Sequence, residues 1–516
     1  MAYPSNMYSS LCLVDALEKM GISHHFSCEI NSILDKTYRS WLQNDQEMMV
    51  DMETCAMAFR ILRAHGYAVS SDVCSHIVEE SRNHDSVQGH LNDTKTLLEL
   101  YKASHLRILE DEWNLGNIGS WSGKLLKQQS CSKRMSRLVM LQEVEYAIKM
   151  PFYSATVQIV EHKRNVEHFV TKSIQMRKSA YMAYHATEDI LALATKEFNS
   201  IRSLYQKEVE CLERWVVEVR LDQLKYVRLM PVDFWIFIAS DIFPSELSEA
   251  RVEWVKNAIL TIAVDDFFDV GGSTEELENL VGVGFSSEDV EISFYAIYNT
   301  NNRIGAKAME VQNRSVIGDI AELWVDFMRG QRTEAEWQRK GYIPTMEEYM
   351  PVSVMSLAYG PIPVPSLYLI GPELSDDMFR SSEFQDMFKH TSVCARLLND
   401  LHTYNKERRQ GSYVNGVLLH AHRHSGSTSS ASIEAAKEEI RKIIAISQRE
   451  LLRLVLRDAD GIPRQFREIW WNMRKGTHLF YLLGDGFCAM QLVAEANGAV
   501  YGPLEIEGTQ SCKEMS

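Results

Sequence analysis

The sequence predicts an all-α protein built as two helical domains. Three observations carry that reading. The 516 residues exceed what one compact helical core accommodates, so the chain divides. Only 12 prolines interrupt that length, which leaves room for long helices. Apolar residues recur at helical spacing, and a hydrophobic content of 45% supplies large cores.

Taken in order, the first part alternates helical patterns with short polar breaks such as Ser70-Ser71-Asp72. Gly116 to Gly123 reads as a loop. From about Ser179 the helices lengthen and gain aromatic residues, which places a boundary between residues 1–178 and 179–516. Ser248 to Gly272 reads as one helix, with Gly271-Gly272 as its left-handed stop. Gly360 to Pro365 holds three prolines and should break a helix, because each removes a backbone donor. A last long helix runs from about Ile433 to Arg457. Ser432 is its expected N-cap, and Ile440, Ile443, Ile444, Leu451 and Val455 are its buried face.

Composition narrows the function. A formal charge of −16 argues against a nucleic-acid surface, which needs clustered Lys and Arg. Nine cysteines, odd in number and without a CxxC pair, read as a reducing compartment with neither a disulfide framework nor a zinc site. No run of 18 apolar residues offers a membrane span. Met1 to Val14 contains no Lys or Arg and helix-like sequence begins near Leu11, so no targeting peptide is visible and a cytoplasmic chain is expected.

The strongest local signal is Val264-Asp265-Asp266-Phe267-Phe268-Asp269. Asp265 and Asp269 are four apart on one helix face, with Asp266 beside them. Three carboxylates there repel each other and oppose the negative end of the helix dipole. A divalent cation relieves both penalties, and clustered oxygen donors suit Mg²⁺. A solvated acidic helix end is the alternative. The second signal is Asn399-Asp400-Leu401-His402-Thr403-Tyr404-Asn405-Lys406-Glu407. Asn399, Thr403 and Glu407 share a face and make a hard-oxygen site of lower charge, although an exposed amphipathic turn would carry the same string. Arg396 precedes them on that face, where a guanidinium could grip a diphosphate. A near copy, Asn92-Asp93-Thr94-Lys95-Thr96-Leu97-Leu98-Glu99, has its Glu one residue short of the register. Two oxygen-donor faces across one pocket, with Mg²⁺ between them, would turn a diphosphate into a good leaving group.

These residues resemble the class I terpene synthases of plants: DDxxD at Asp265 to Asp269, and (N/D)DxxTxxxE at Asn399 to Glu407. The likeness covers nearly the whole chain. Gly119-Ser120-Trp121-Ser122-Gly123, Asp265 through Ser273, Gly360 to Pro365 and Arg449 to Leu456 look like kaurene synthase-like diterpene synthases. The resemblance implies an N-terminal helical domain of the α-barrel-like β type, without the class II DxDD motif, followed by a C-terminal catalytic bundle. It implies Mg²⁺ on Asp265, Asp269, Asn399, Thr403 and Glu407, three ions per site, with Asp266 supporting. Arg396 and Arg228 would bind the diphosphate, although the RxR pattern around Arg228 is not intact. Ile362 matches an isoleucine associated with tetracyclic products. The implied substrate is a prenyl diphosphate, copalyl diphosphate in its ent or syn form, and the implied product a kaurane-type polycyclic alkene. Phe234, Trp235, Phe237, Phe294, Tyr295, Tyr298, Phe480 and Tyr481 are candidates for steadying a passing carbocation.

The sequence departs from the family in three ways. No additional N-terminal helical domain is visible, no plastid transit peptide is visible, and Gly484-Asp485-Gly486-Phe487 stands where DDGF is usual. A plastid address is expected if the N-terminus is truncated. Three rivals remain: an acyclic-substrate synthase, a prenyltransferase, and a helical scaffold that binds without turnover.

Overall fold

The computed structural model describes residues 7–73, 93–131, 138–149, 158–169, 184–272, 276, 285–425, 429–457, 461–481 and 490–505, and among them there are helices and no strands. The expected boundary at 178/179 and the Gly484 to Phe487 stretch lie outside the described residues. The chain forms two compact units. One runs to Arg202 and includes Leu456–Asp458 and Gly502–Ser516; the other comprises Ser203–Val455 and Ala459–Tyr501.

The N-terminal unit is organised by buried arginines. Arg60, on helix Met52–Ala64, is 1% exposed and reaches Asp15 at 2.8 Å and Glu99 at 2.9 Å. Glu99 also takes Lys102 at 2.8 Å. The near copy of the second motif is therefore structural: Asp93 caps helix Thr94–Ser104, and Glu99 neutralises Arg60. Asn92 lies outside the described residues. Arg63 likewise binds Glu112 at 2.7 Å and the carbonyl of Leu106 at 3.0 Å.

Gly116 to Gly123 is not a loop but lies inside helix Trp113–Cys131. Its glycines make room rather than turns. A Cβ at Gly119 would strike the Ser104 side chain, and one at Gly123 would meet the Tyr101 ring at 2.9 Å. Helices Thr94–Ser104 and Trp113–Cys131 pack closely because those side chains are missing.

In the second unit, helix Val232–Ile242 is buried over nearly its whole length and packs on helix Arg464–Tyr481. Helices Ser382–Arg409, Gly416–Ser425 and Ser430–Leu456 share a core of Leu397, Leu398, Val417, Ala421, Ile440 and Ile444. The expected face of the last helix is as read except at Ile443, which is half-buried, with Ile440 at 0% and Leu451 at 0% exposure. Its cap is not. The helix starts at Ser430, and Ser429 Oγ accepts from the Ser432 N–H at 3.2 Å.

The segment from Ser248 to Gly272 is also more than one helix. The α-helix Ser248–Asp266 widens into a π-helical turn, Phe267–Gly271, closed by Gly272 N donating to the Phe267 carbonyl at 2.8 Å. Gly272 has φ −98°, so the stop is extended rather than left-handed. Gly271 instead leaves space for the Tyr226 ring, which a Cβ would meet at 2.7 Å. The proline segment does interrupt the helix. Helix Met346–Ser356 ends, Ala358 takes φ +66°, and a short helix Pro363–Leu367 begins after Ile362.

Candidate active site

The aspartate cluster sits where the α-helix becomes the π turn, a geometry frequent at functional sites. Asp266 is 3% exposed and turns to Arg228, whose backbone N–H donates to it at 2.6 Å and whose Nε does so at 2.5 Å. Arg228 Nη2 also donates to Asp265 at 3.1 Å. On its other side Asp265 accepts from Gln331 Nε2 at 2.9 Å. Asp269 is exposed, but the surrounding protein and then the Asp265 charge push its carboxyl up to about 7. Burial raises Asp265 as well.

The mixed-donor face lies on helix Ser382–Arg409, capped by Ser381. Asn399 Nδ2 donates to Tyr481 Oη at 2.7 Å, which leaves its amide oxygen uncommitted by that bond. Thr403 Oγ1 donates to the Asn399 carbonyl at 3.0 Å and accepts from Asn415 at 3.4 Å. Burial, then the charge of Asp400, pushes Glu407 up to about 7. Its Oε2 is buried without a hydrogen bond.

Asp400 belongs to a different network from its motif neighbours. Fully buried, it accepts from Tyr349 Oη at 2.9 Å, from the Gly416 N–H at 2.9 Å, and from Arg396 Nε at 3.1 Å. Gly416 must be glycine here, since a Cβ would lie 2.6 Å from Asp400 Oδ2. Arg396 is 8% exposed; its Nε donates to Tyr349 at 2.7 Å and its Nη2 lies 3.7 Å from Glu334.

One helix connects the two faces. Ile317–Lys340 carries Gln331, which reaches Asp265 and the Ser356 carbonyl, and Glu334, which accepts from Ser356 Oγ at 2.8 Å and approaches Arg396. The faces are near enough to feel each other's charge: Arg396 lowers Asp265, and Lys406 lowers Asp269, each against a larger upward push. Sequence reasoning did not single out Gln331, Glu334, Tyr349 or Asn415. Only the three-residue spacing of Gln331 and Glu334 on one helix face could have pointed to them.

The aromatic candidates divide. Trp235 and Phe480 stack at 6.3 Å, Phe480 adjoins Tyr481 at 5.0 Å, and Tyr481 holds Asn399. Phe234 and Phe237 are buried. Phe294, Tyr295 and Tyr298 are instead exposed by 38–54% and gather with Phe285 on the outside of helix Glu288–Gln312. Ile362 is half-buried at the proline break.

The donor set fits a hard divalent cation. Asp265, Asp269 and Glu407 are carboxyls held at a high proton affinity by their surroundings, and one buried oxygen has no partner. A buried carboxylate oxygen without a partner is what such an ion completes.

The chain is similar to known proteins in sequence and in fold. Residues 1–148 match the family model "Terpene synthase, N-terminal domain", and residues 217–450 match "Terpene synthase family, metal binding domain". Dolabradiene synthase KSL4 of Zea mays is 51% identical over 98% of this chain and 60% of its own length. Ent-pimara-8(14),15-diene synthase of Oryza sativa is 49% identical, over 98% and 64%. Ent-kaur-16-ene synthase of the same species is 48% identical, over 98% and 68%. The chain thus spans between 60% and 68% of the length of these relatives. Among solved structures, abietadiene synthase from Abies grandis aligns at TM-score 0.82 with 24% identity, over 96% of this chain and 68% of that one. Isoprene synthase of grey poplar, in complex with three Mg²⁺ ions and dimethylallyl-S-thiolodiphosphate, aligns at 0.82 with 22% identity, over 96% and 92%. At those identities the likeness is one of fold.

Proposed function

The chain belongs to the terpene synthase family, and from that premise we propose that it is a class I diterpene cyclase acting on copalyl diphosphate. The observation that supports this reading is that helix Ile317–Lys340 reaches Asp265 through Gln331 and approaches Arg396 through Glu334.

In this reading Asp265, Asp269, Asn399, Thr403 and Glu407 hold Mg²⁺, with Asp266 supporting, and the catalytic role lies with residues 179–516. Three ions are proposed, the number that the grey poplar isoprene synthase complex holds. Bound Mg²⁺ would neutralise the diphosphate and make it a better leaving group. The rest is done by the chain. The allylic carbon–oxygen bond breaks, both electrons leave with the diphosphate oxygen, and the carbon keeps the positive charge. Arg228 and Arg396 bind the departing diphosphate; Arg228 exchanges its hold on Asp265 and Asp266 to do so. Trp235, Phe480 and Tyr481 offer aromatic faces to the cation. Exclusion of water keeps the cation from early capture.

The product is proposed to be a kaurane-type or related polycyclic alkene, formed when the final cation loses a proton to the released diphosphate, with Ile362 at the proline break influencing how far cyclisation proceeds. Relatives named for kaurene, pimaradiene and dolabradiene support the diterpene class rather than one skeleton. A plastid location is proposed because two of these relatives are named chloroplastic.

The test is incubation with ent- and syn-copalyl diphosphate and with acyclic prenyl diphosphates, each with Mg²⁺, and product identification by mass spectrometry. A polycyclic diterpene from copalyl diphosphate is expected. Pimaradienes alone, or product only from acyclic substrates, would overturn the assignment. Loss of Mg²⁺-dependent diphosphate release in Asp265→Ala distinguishes an enzyme from a binding scaffold.

A further inference from the structure

A second group of metal-ligand side chains lies in the N-terminal unit. His24 Nε2 is 3.7 Å from Glu197 Oε1, and His25 Nε2 is 3.4 Å from Glu197 Oε2. Among the described residues, these form the one group of His, Cys, Asp and Glu donors lying within 4.8 Å of one another. Donors around a single tetrahedral Zn²⁺, at bonds of about 2.0–2.2 Å, stand roughly 3.3–3.6 Å from each other. The shorter separation falls within the range for two donors on one ion and the longer lies just above it, each to a different oxygen of Glu197.

The two limbs are held in register by something other than the candidate ligands. His24 and His25 lie on a short 3₁₀ turn, Ser23–Phe26, whose His24 carbonyl accepts from Ser27 Oγ at 3.0 Å. Gly21, at φ +66°, passes so close to His162 that a Cβ would lie 2.6 Å from its Nδ1. His162 is 4% exposed and donates from Nε2 to the Ala194 carbonyl at 3.0 Å, about one turn before Glu197 on helix Tyr184–Glu218. The buried imidazole thus ties the approach to the histidine turn to the helix that carries the carboxylate.

The two rings are 3.9 Å apart between centroids, and each turns its Nε2 to the same carboxylate. One shared divalent ion satisfies both lone pairs and the carboxylate together. With side-chain exposures of 44% and 40%, the histidines leave the remaining coordination positions to water.

The geometry points to a borderline transition-metal site at His24, His25 and Glu197, taking an ion of the Zn²⁺ or Cu²⁺ class. Its two nitrogens and one carboxylate differ in kind from the all-oxygen donor set of the second unit. Imidazole selects Zn²⁺ and Cu²⁺ over Mg²⁺, so the two sites can fill independently. The cysteine count that spoke against zinc has no bearing on a site made without cysteine.

The test uses the full chain in millimolar Mg²⁺, with Zn²⁺ binding followed by calorimetry and Cu²⁺ followed by electron paramagnetic resonance. One equivalent should bind, and the Cu²⁺ spectrum should show coupling to imidazole nitrogen. Affinity should fall at least tenfold in the H24Q/H25Q double variant and in Glu197→Gln, with circular dichroism unchanged. Asp265→Ala should bind as the parent does, separating this site from the oxygen-donor one. Undiminished affinity in the double variant, a spectrum without nitrogen coupling, or no binding by the parent would overturn the assignment.

Discussion

Tyr349 illustrates how a residue distant in sequence can govern the proposed chemistry. Its hydroxyl accepts from Arg396 and has one proton to give to the two Asp400 oxygens, with no exposure to water. Tyr349→Phe removes the group that holds the arginine and the aspartate in register, and leaves buried polar atoms short of a partner. The expected cost is about 1–3 kcal/mol of stability, read as a lower urea midpoint. Because Arg396 is the proposed diphosphate ligand, inorganic diphosphate should also bind on the order of tenfold more weakly. Unchanged midpoint and affinity would place the hydroxyl outside the working network. The shared face of Asn399, Thr403 and Glu407 was legible as spacing on helix Ser382–Arg409, whereas Asp269 lies in the π turn and not on the α-helical face its spacing from Asp265 predicted. Tyr349 was not legible, since nothing in its local sequence announces that Asp400, 51 positions away, needs a donor.

Elements here are positioned by close backbone approach as much as by apolar stripes. On helix Ile317–Lys340, Gly330 lies against the backbone of Ser356: a Cβ would come within 2.8 Å of its nitrogen. The next residue, Gln331, bonds both the Ser356 carbonyl and Asp265. Gly330→Ala must therefore push helix Met346–Ser356 away, because the atom it meets is main chain and cannot rotate aside. Overpacking of this kind costs about 1–3 kcal/mol. The shift should also loosen Gln331 from Asp265, so diphosphate release should slow more than global stability alone explains. Thermal unfolding together with single-turnover rates checks this; full activity would show that the contact is dispensable. The same physics explains which elements the sequence misrepresented. A glycine that turns the chain and a glycine that makes room for a neighbour look identical in a string, so Gly116 to Gly123 read as a loop and is helix. The π turn at Phe267–Gly271 was hidden as well, since nothing in the string shows that the Tyr226 ring packs on Gly271. Ile440, Ile444 and Leu451, by contrast, depend only on period and were read correctly.

At the scale of the whole molecule, the proposed ligands should act as stabilisers. On the proposed function Mg²⁺ with inorganic diphosphate would bind the folded state and not the unfolded chain, so at a hundredfold excess over the dissociation constant it would add about 2.7 kcal/mol. The melting temperature should rise with both present and fall back on chelation, and Glu407→Ala should abolish the effect. Acid tests a different part of the molecule. Burial holds His162 down to about 4, whereas an unfolded histidine titrates near 6.5 (roughly the peptide value). Between those limits the unfolded chain takes up the proton and the folded one does not. The stabilisation is complete above about pH 6.5, is lost as the pH falls towards 4, and amounts to on the order of 3 kcal/mol. Asp269 and Glu407, pushed up to about 7, tilt the other way, because in the folded state they bind protons that the unfolded chain releases. The parent's curve therefore mixes both signs, and only a comparison isolates the histidine. His162→Gln keeps a donor for the Ala194 carbonyl and removes the titrating ring. Urea unfolding of both proteins at pH 7 and pH 5, without metal, should give the variant a smaller loss on acidification, or even a gain. Equal losses in the two proteins would mean that this buried ring does not set the acid limit.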